Sequence, residues 1–237
     1  GEMFMQATAR ALASQGIKCI VAKSFISTPM VSLATLHYKA AAGIVITASH
    51  NPPSYNGFKI KDSFGGPAVP EEIAKVEANI PESPSNNYES YDAYVASGMV
   101  VYEDLEQLYI DAIRKGIDFK LIESTKPELA YDAMYGAGQN AMRTLLPDTT
   151  FLHCEYNPWF DGQAPEPIHK NLSELSQLIS ISEDIDLGIA TDGDADRIGL
   201  YNSTGKFIDS HHIILLLIQY LHKYKGLGGM VVNSFSC

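Results

Sequence analysis

Short runs of apolar and β-branched residues recur along this chain, and each is followed by a segment with helical spacing. Gly43-Ile44-Val45-Ile46-Thr47 is the plainest run, a continuous apolar strand of the kind buried on both faces. Before it, Glu2 to Ser14 carries Phe4, Ala7 and Leu12 at helical spacing and stops at Gly16. Ile17 to Ala22 reads as a short strand, and Thr28-Pro29 supplies an N-cap and a first-turn proline for a helix to about Ala42. After the turn-rich Ser49 to Gly57, Phe58-Lys59-Ile60-Lys61 alternates as a strand with one polar face should. Pro70-Glu71-Glu72 opens another helix. Strand and helix in alternation predict a layered α/β fold.

Pro81 to Asn87, with two prolines, two serines and two asparagines, is the best linker. The alternation then resumes: helix from about Glu103 to Lys115, strand Glu128 to Asp132, helix after Gly136, strand Thr150 to His153. Beyond the Pro-rich loop Asn157 to Pro167 come helix Leu172 to Ile179, strand Asp186 to Ala190, strand Ile198 to Tyr201 and a helix from Ser210 to about Tyr224. The expected organisation is a tandem of α/β units: 1–100, 101–209, and the opening of a third over 210–237. The chain starts inside a helix without Met and closes on Met230 to Cys237, which reads as a strand just begun. Such a strand needs pairing partners, so the chain is expected to be a fragment of a longer polypeptide.

Composition narrows the function classes. Hydrophobic residues at 46% and charged residues at 19% are ordinary for a globular domain. A formal charge of −11 argues against a sequence-independent grip on nucleic acid. The longest apolar run, Ile213 to Ile218, is far short of a membrane span, and no charged-then-apolar leader is present. Cys19, Cys154 and Cys237 form no CxxC pair, which favours a reducing, cytoplasmic compartment.

Two loops carry chemistry. The first, Thr47-Ala48-Ser49-His50-Asn51-Pro52-Pro53, follows the buried strand, and ligands of open α/β sheets gather at such strand ends. A serine hydroxyl needs help to act as a nucleophile, and His50, Asn51 and Lys59 lie close to Ser49 in sequence. If the group transferred is phosphoryl, these types fit, because positive charge and hydrogen-bond donors stabilise its oxygens. The bland reading is a polar turn in which Ser and Asn satisfy their own backbone. A serine hydrolase fits worse, since GxSxG is absent.

The second loop is Asp192-Gly193-Asp194-Ala195-Asp196-Arg197. Three carboxylates at alternate positions would repel one another, and their oxygens are hard ligands suited to Mg²⁺ or Ca²⁺. An EF-hand needs Gly at the sixth position and Glu at the twelfth; Arg197 and Ser203 stand there instead. Mg²⁺ keeps positions open for phosphate oxygens, and Arg197 is the residue type for a bidentate phosphate contact. The two loops would have to meet between the two units, and the bland alternative is a solvated acidic turn.

With Asn56-Gly57-Phe58-Lys59 added to the first loop, these residues resemble the two signature loops of the α-D-phosphohexomutase family, most closely its phosphoglucomutase/phosphomannomutase branch. Asp161-Gly162-Gln163-Ala164-Pro165-Glu166-Pro167 is similar to the Pro-rich loop that the family carries ahead of its metal loop. The resemblance implies tandem three-layer α/β/α units with mixed sheets, the first of four domains in a heart-shaped arrangement. It implies interconversion of hexose 1-phosphate and hexose 6-phosphate, of glucose, mannose or both, through a hexose 1,6-bisphosphate. By the same resemblance Ser49 is the phosphorylated residue, and Asp192, Asp194 and Asp196 hold Mg²⁺ together with a phosphoserine oxygen. Lys59 is then the general acid/base, and His50, Asn51 and Arg197 position the transferring group.

Family elements are missing from this sequence: an N-terminal strand with its Thr-Ser-Gly and Arg-bearing loops, a Gly-Glu sugar loop and a fourth-domain phosphate loop. The expectation is a chain that binds metal, with exposed sheet edges that could pair between chains, but does not turn over. Two alternatives stay open. One is a Mg²⁺ phosphatase that uses Asp192 or Asp194 as nucleophile; the other is a non-enzymatic divalent-ion module. Elsewhere, His211-His212 reads as a helix start, Trp159 as an anchor packed between units, and Tyr88, Tyr91, Tyr94 and Tyr102 as a half-wet interface. Glu71-Glu72 and Glu103-Asp104 read as favourable charges in first helical turns.

Overall fold

A computed structural model describes residues 1–83, 88–182 and 184–229. The first unit runs α1 (Glu2–Ser14), β1 (Cys19–Ala22), α2 (Thr28–His37), β2 (Ala42–Thr47), β3 (Gly57–Asp62), α3 (Pro70–Ala78), α4 (Tyr91–Ala96) and β4 (Val100–Glu103). The helical spacing in α1 buries Ala9 and Ala13 against Val21 of β1 and Val100 of β4. β1 and β4 pair in parallel, and β2 and β3 pair antiparallel as a second two-stranded sheet. The expected boundary at residue 100 thus falls within β4, which belongs to the sheet of β1.

The local structure differs from the sequence expectation in α2 and β2. Ser27, not Thr28, is the N-cap of α2, and the helix ends at His37 rather than near Ala42. β2 is not buried on both faces: Gly43 and Val45 are buried, whereas Ile44 and Ile46 are only half-buried. An apolar run does not say how many layers cover it, and here the close packing lies on one side. A Cβ at Gly43 would collide with Thr35 Oγ1 and lie 3.3 Å from Val31, both on α2, so glycine is what lets helix and strand approach.

The second unit comprises α5 (Leu105–Gly116), α6 (Phe119–Thr125), β5 (Leu129–Asp132), α7 (Gln139–Leu145), β6 (Thr150–Leu152), α8 (Ser173–Ile181), β7 (Leu187–Thr191), β8 (Ile198–Asn202) and β9 (Phe207–Ile208). The five strands form one mixed sheet in the order β6-β5-β7-β8-β9. β6, β5 and β7 are parallel, and β8 and β9 run antiparallel to their neighbours. Leu175 and Ile179 of α8 cover one face with Ala130, Ala190 and Tyr201. On the other face Tyr131, Ala133 and Cys154 pack with Met142 of α7. Helices on both faces of a mixed sheet make the three-layer α/β/α architecture that was expected.

The units meet through helices. Met30 of α2 packs with Ile110 of α5 and Ala141 of α7, which brings the end of β2 toward the end of β7. α9 (Ser210–Lys223) is capped by Asp209, whose carboxylate accepts from His212 N at 3.0 Å. That agrees with the reading of His211-His212 as a helix start. Glu71 and Glu72 occupy the first turn of α3, while Glu103 ends β4 and Asp104 caps α5. Trp159 does not pack between the described units: it is 69% exposed, and its backbone N–H donates to Asn157 Oδ1 at 3.1 Å. Residues 84–87 of the linker and the strand expected at Met230 to Cys237 lie outside the described residues. Among the described residues no helix is long and apolar enough to cross a membrane.

Candidate functional site

Ser49 lies just past the carboxyl end of β2, in the left-handed region at φ 53°. Its N–H donates to Thr47 Oγ1 at 2.8 Å, a local contact that supports a conformation an L-residue rarely adopts. Its hydroxyl leaves the turn and donates to Asp192 Oδ2 at 2.9 Å. The two loops that share no sequence neighbourhood therefore do meet.

Asp192 follows β7 and is fully buried. Its Oδ1 accepts from the backbone of Asp196 at 2.9 Å and of Arg197 at 3.0 Å, so the carboxylate closes its own loop. Gly193 fits where little else could: a Cβ there would lie 2.5 Å from Ser49 O and 3.0 Å from Pro165 Cγ. The Pro-rich loop, the serine loop and the aspartate loop are in contact at that one residue.

Asp192, Asp194 and Asp196 each offer an oxygen, all within 4.8 Å of one another. Lys59 of β3 points into this cluster, with Nζ 2.8 Å from Asp194 Oδ2 and 3.2 Å from Asp196 Oδ2. Burial, with Asp194 and Asp196 adding to it, pushes Asp192 up to about 6. Asp194 is buried as well, yet hydrogen bonds from Lys59 and Thr28 outweigh burial and hold it below the usual carboxylate range. Burial pulls Lys59 down, but its two carboxylate partners more than reverse this, so it stays an ammonium.

The donor set suits a hard divalent cation. It consists of carboxylate oxygens with a serine oxygen beside them, and one of the carboxylate oxygens, Asp194 Oδ1, is buried without a partner among the described residues. The chemistry available is charge stabilisation at an oxygen carried by Ser49.

The other expected residues stand as follows. His50 is half-buried, and its Nδ1 is buried without a partner among the described residues. Asn51 is exposed and turns its amide back to Ala48 O at 3.1 Å, the bland turn role. Arg197 is exposed, and it is the backbone N–H that serves Asp192. Sequence reasoning missed Thr28, whose hydroxyl donates to Asp194 Oδ2 at 2.7 Å. It also missed a polar cavity of 160 Å³ beside Pro165, lined by Asp132, His153 and Glu174 among others. His153 Nδ1 lies 3.0 Å from both Asp132 oxygens, and its Nε2 lies 3.3 Å from Glu174 Oε2.

Comparison with known proteins gives one consistent result. The phosphoglucomutase/phosphomannomutase alpha/beta/alpha domain I model matches residues 1–87, and the domain II model matches residues 107–205. A phosphoglucomutase/phosphomannomutase of Thermococcus kodakarensis is 31% identical over all of this chain and 51% of its own length. A phosphoglucomutase of Neisseria gonorrhoeae is 31% identical over 92% of this chain and 46% of its own. A crystal structure from Thermus thermophilus, assigned to a phosphomannomutase, superposes with a TM-score of 0.85 at 33% identity, covering 94% of this chain and 50% of that one. The chain spans about half the length of the curated relatives it matches. With two domain models matched in order and the serine and aspartate loops brought together, the chain belongs to the phosphoglucomutase/phosphomannomutase family.

Proposed function

We propose that this chain carries the phosphoserine and metal loops of a phosphohexomutase that interconverts hexose 1-phosphate and hexose 6-phosphate, with glucose, mannose or both as the sugar. The observation that carries the reading is the 2.9 Å contact between Ser49 Oγ and Asp192 Oδ2. In the forward half-reaction a sugar hydroxyl forms a new P–O bond as the bond between phosphorus and Ser49 Oγ breaks. The hydroxyl loses its proton to a base, and Ser49 Oγ gains one. The second half-reaction runs the other way and returns a phosphoryl group to Ser49.

Within that scheme Ser49 is the carrier, and Lys59, kept as an ammonium by Asp194 and Asp196, enters as proton donor. His50 offers a ring nitrogen with no competing partner among the described residues. Arg197 is free to swing toward a phosphate, and Asn51 can contribute once its turn contact is exchanged. Mg²⁺, held by Asp192, Asp194, Asp196 and an oxygen on Ser49, would neutralise charge on the transferring group. An aspartyl-phosphate route has less support: Asp192 has both oxygens engaged, and the Asp194 side chain is only 4% exposed. The domain reading of 1–100, 101–209 and 210–237 accompanies this proposal, as does loss of turnover in the isolated chain.

Intact-mass spectrometry before and after incubation with a hexose 1,6-bisphosphate tests it, with the adduct mapped to its residue. One phosphoryl group on Ser49, absent from Ser49→Ala, is the expected result. An adduct on an aspartate, or on neither loop, overturns the reading.

A further inference from the structure

Thr28 opens α2 and is 2% exposed. Its N–H donates to the backbone oxygen of Asp194 at 2.9 Å, and its hydroxyl donates to Asp194 Oδ2 at 2.7 Å. The first residue of a helix in one unit thus grips two acceptors of a single residue in the other. Asp194 Oδ2 takes a second donor, Lys59 Nζ, at 2.8 Å, which fills that oxygen. Oδ1 is buried and has no partner among the described residues, a costly state for a carboxylate oxygen unless a ligand reaches it.

The two donors on Oδ2 differ in permanence. Lys59 is 37% exposed at the end of a flexible stem, and a divalent cation entering the cluster repels an ammonium at that range. Thr28 is neutral, buried and β-branched, so neither charge nor rotamer freedom removes it. The positive end of α2 adds a field that favours the carboxylate.

We propose that Thr28 is a positioning residue for the cation site: its hydroxyl holds Oδ2 of Asp194 and thereby leaves Oδ1 to face a cation bound by the three aspartates. α2 of the first unit is then part of the metal site of the second. The proposal rests on the triad being a cation site. It adds that the orientation of one ligand is set from across the interface between units.

Thr28→Val keeps size and β-branching and deletes the hydroxyl, while Thr28→Ser keeps the hydroxyl. Mn²⁺ is the probe ion, with binding read by calorimetry and by the rise in Tm that it causes. The Mn²⁺ Kd is expected to rise about 10–100-fold in Thr28→Val, the usual loss when a ligand's hydrogen-bond partner is removed, and Thr28→Ser to restore it. A role in packing alone would lower Tm equally with and without Mn²⁺ and leave Kd unmoved. Equal Mn²⁺ affinity in wild type and Thr28→Val overturns this proposal and leaves the cation site standing. No Mn²⁺ binding by the wild-type chain overturns the cation site and this proposal with it. Should Thr28→Val not fold, a crystal structure of the wild-type chain soaked in Mn²⁺ decides. The metal on Asp194 Oδ1 with Thr28 still on Oδ2 supports the assignment; the metal on Oδ2 with the hydroxyl displaced overturns it.

Discussion

Ser49 and Asp192 lie 143 residues apart in the chain, and a 2.9 Å hydrogen bond joins their side chains. The contact is made by a serine held at positive φ and an aspartate with no exposed surface, so neither partner reaches it by idle rotation. α2 packing on α5 and α7 supplies the alignment. The chemistry proposed for this chain therefore depends on an interface between units as much as on either loop.

Asp192→Asn is expected to fold and to lose the metal response. The amide oxygen can still accept from Asp196 and Arg197, and the amide N–H₂ can donate to Ser49 Oγ. A buried carboxylate beside two others is replaced by a neutral amide, so the metal-free protein should be at least as stable as wild type. Mg²⁺ at about a hundred times its Kd should stabilise wild type by about 2.7 kcal/mol and the variant hardly at all. Urea titrations with Mg²⁺ and with chelator compare the two, and an undiminished Mg²⁺ effect in the variant sinks the assignment.

Lys59→Met separates two effects that usually move together. Lys59 neutralises Asp194 and Asp196 in the metal-free chain, so it competes with any incoming cation. Its removal should tighten Mg²⁺ binding, seen by calorimetry. The rate of phosphoryl transfer to and from Ser49 should fall about 10²–10⁴-fold, the typical contribution of a positioned acid or base. A parallel loss of both would show that Lys59 only holds the loops together.

Much of this was legible in the residues themselves. The alternation of strand and helix reported the layers, and the Asp-x-Asp-x-Asp spacing reported a cluster that the structure brings within 4.8 Å. What was not legible depends on partners distant in the chain. Thr28 looked like a local cap because its true acceptor, Asp194, lies 166 residues away. β2 looked doubly buried because an apolar run carries no record of which faces neighbours cover. α6 and the two-residue β9 escaped notice, being too short to show a period. The resemblance implies a phosphate role for Asn51, and in the structure its amide donates to Ala48 O within its own turn at 3.1 Å.

Gly193→Ala tests how closely the loops must approach. The added methyl would meet Ser49 O at 2.5 Å and Pro165 Cγ at 3.0 Å, and the first of these is backbone that cannot rotate aside. Overpacking of this kind costs about 1–3 kcal/mol, and relief requires the serine and aspartate loops to part. Gly116→Ala, at the end of α5 with nothing within 4 Å, is the control and should be neutral or slightly stabilising. Tm and Mg²⁺ response measured on both variants should fall only for Gly193→Ala.

His153 gives the fold a pH dependence whose sign is set by its neighbours. The hydrogen bond to Asp132 raises its pKa above the ordinary 6.5, burial opposes this, and the charges of Asp132, Glu174 and Glu155 add to the rise. The folded chain therefore binds the His153 proton more tightly than the unfolded chain does. The resulting stabilisation is fully present below about pH 6.5 and is lost as pH climbs through the raised folded value. His153→Gln removes the titrating group while keeping a donor for Asp132. Urea midpoints of the two proteins should differ more at about pH 5.5 than at about pH 9. Other titrating groups are common to both proteins and cancel in that difference. A gap that is flat, or wider at alkaline pH, would show that the Asp132–His153–Glu174 contact holds no extra proton in the folded chain.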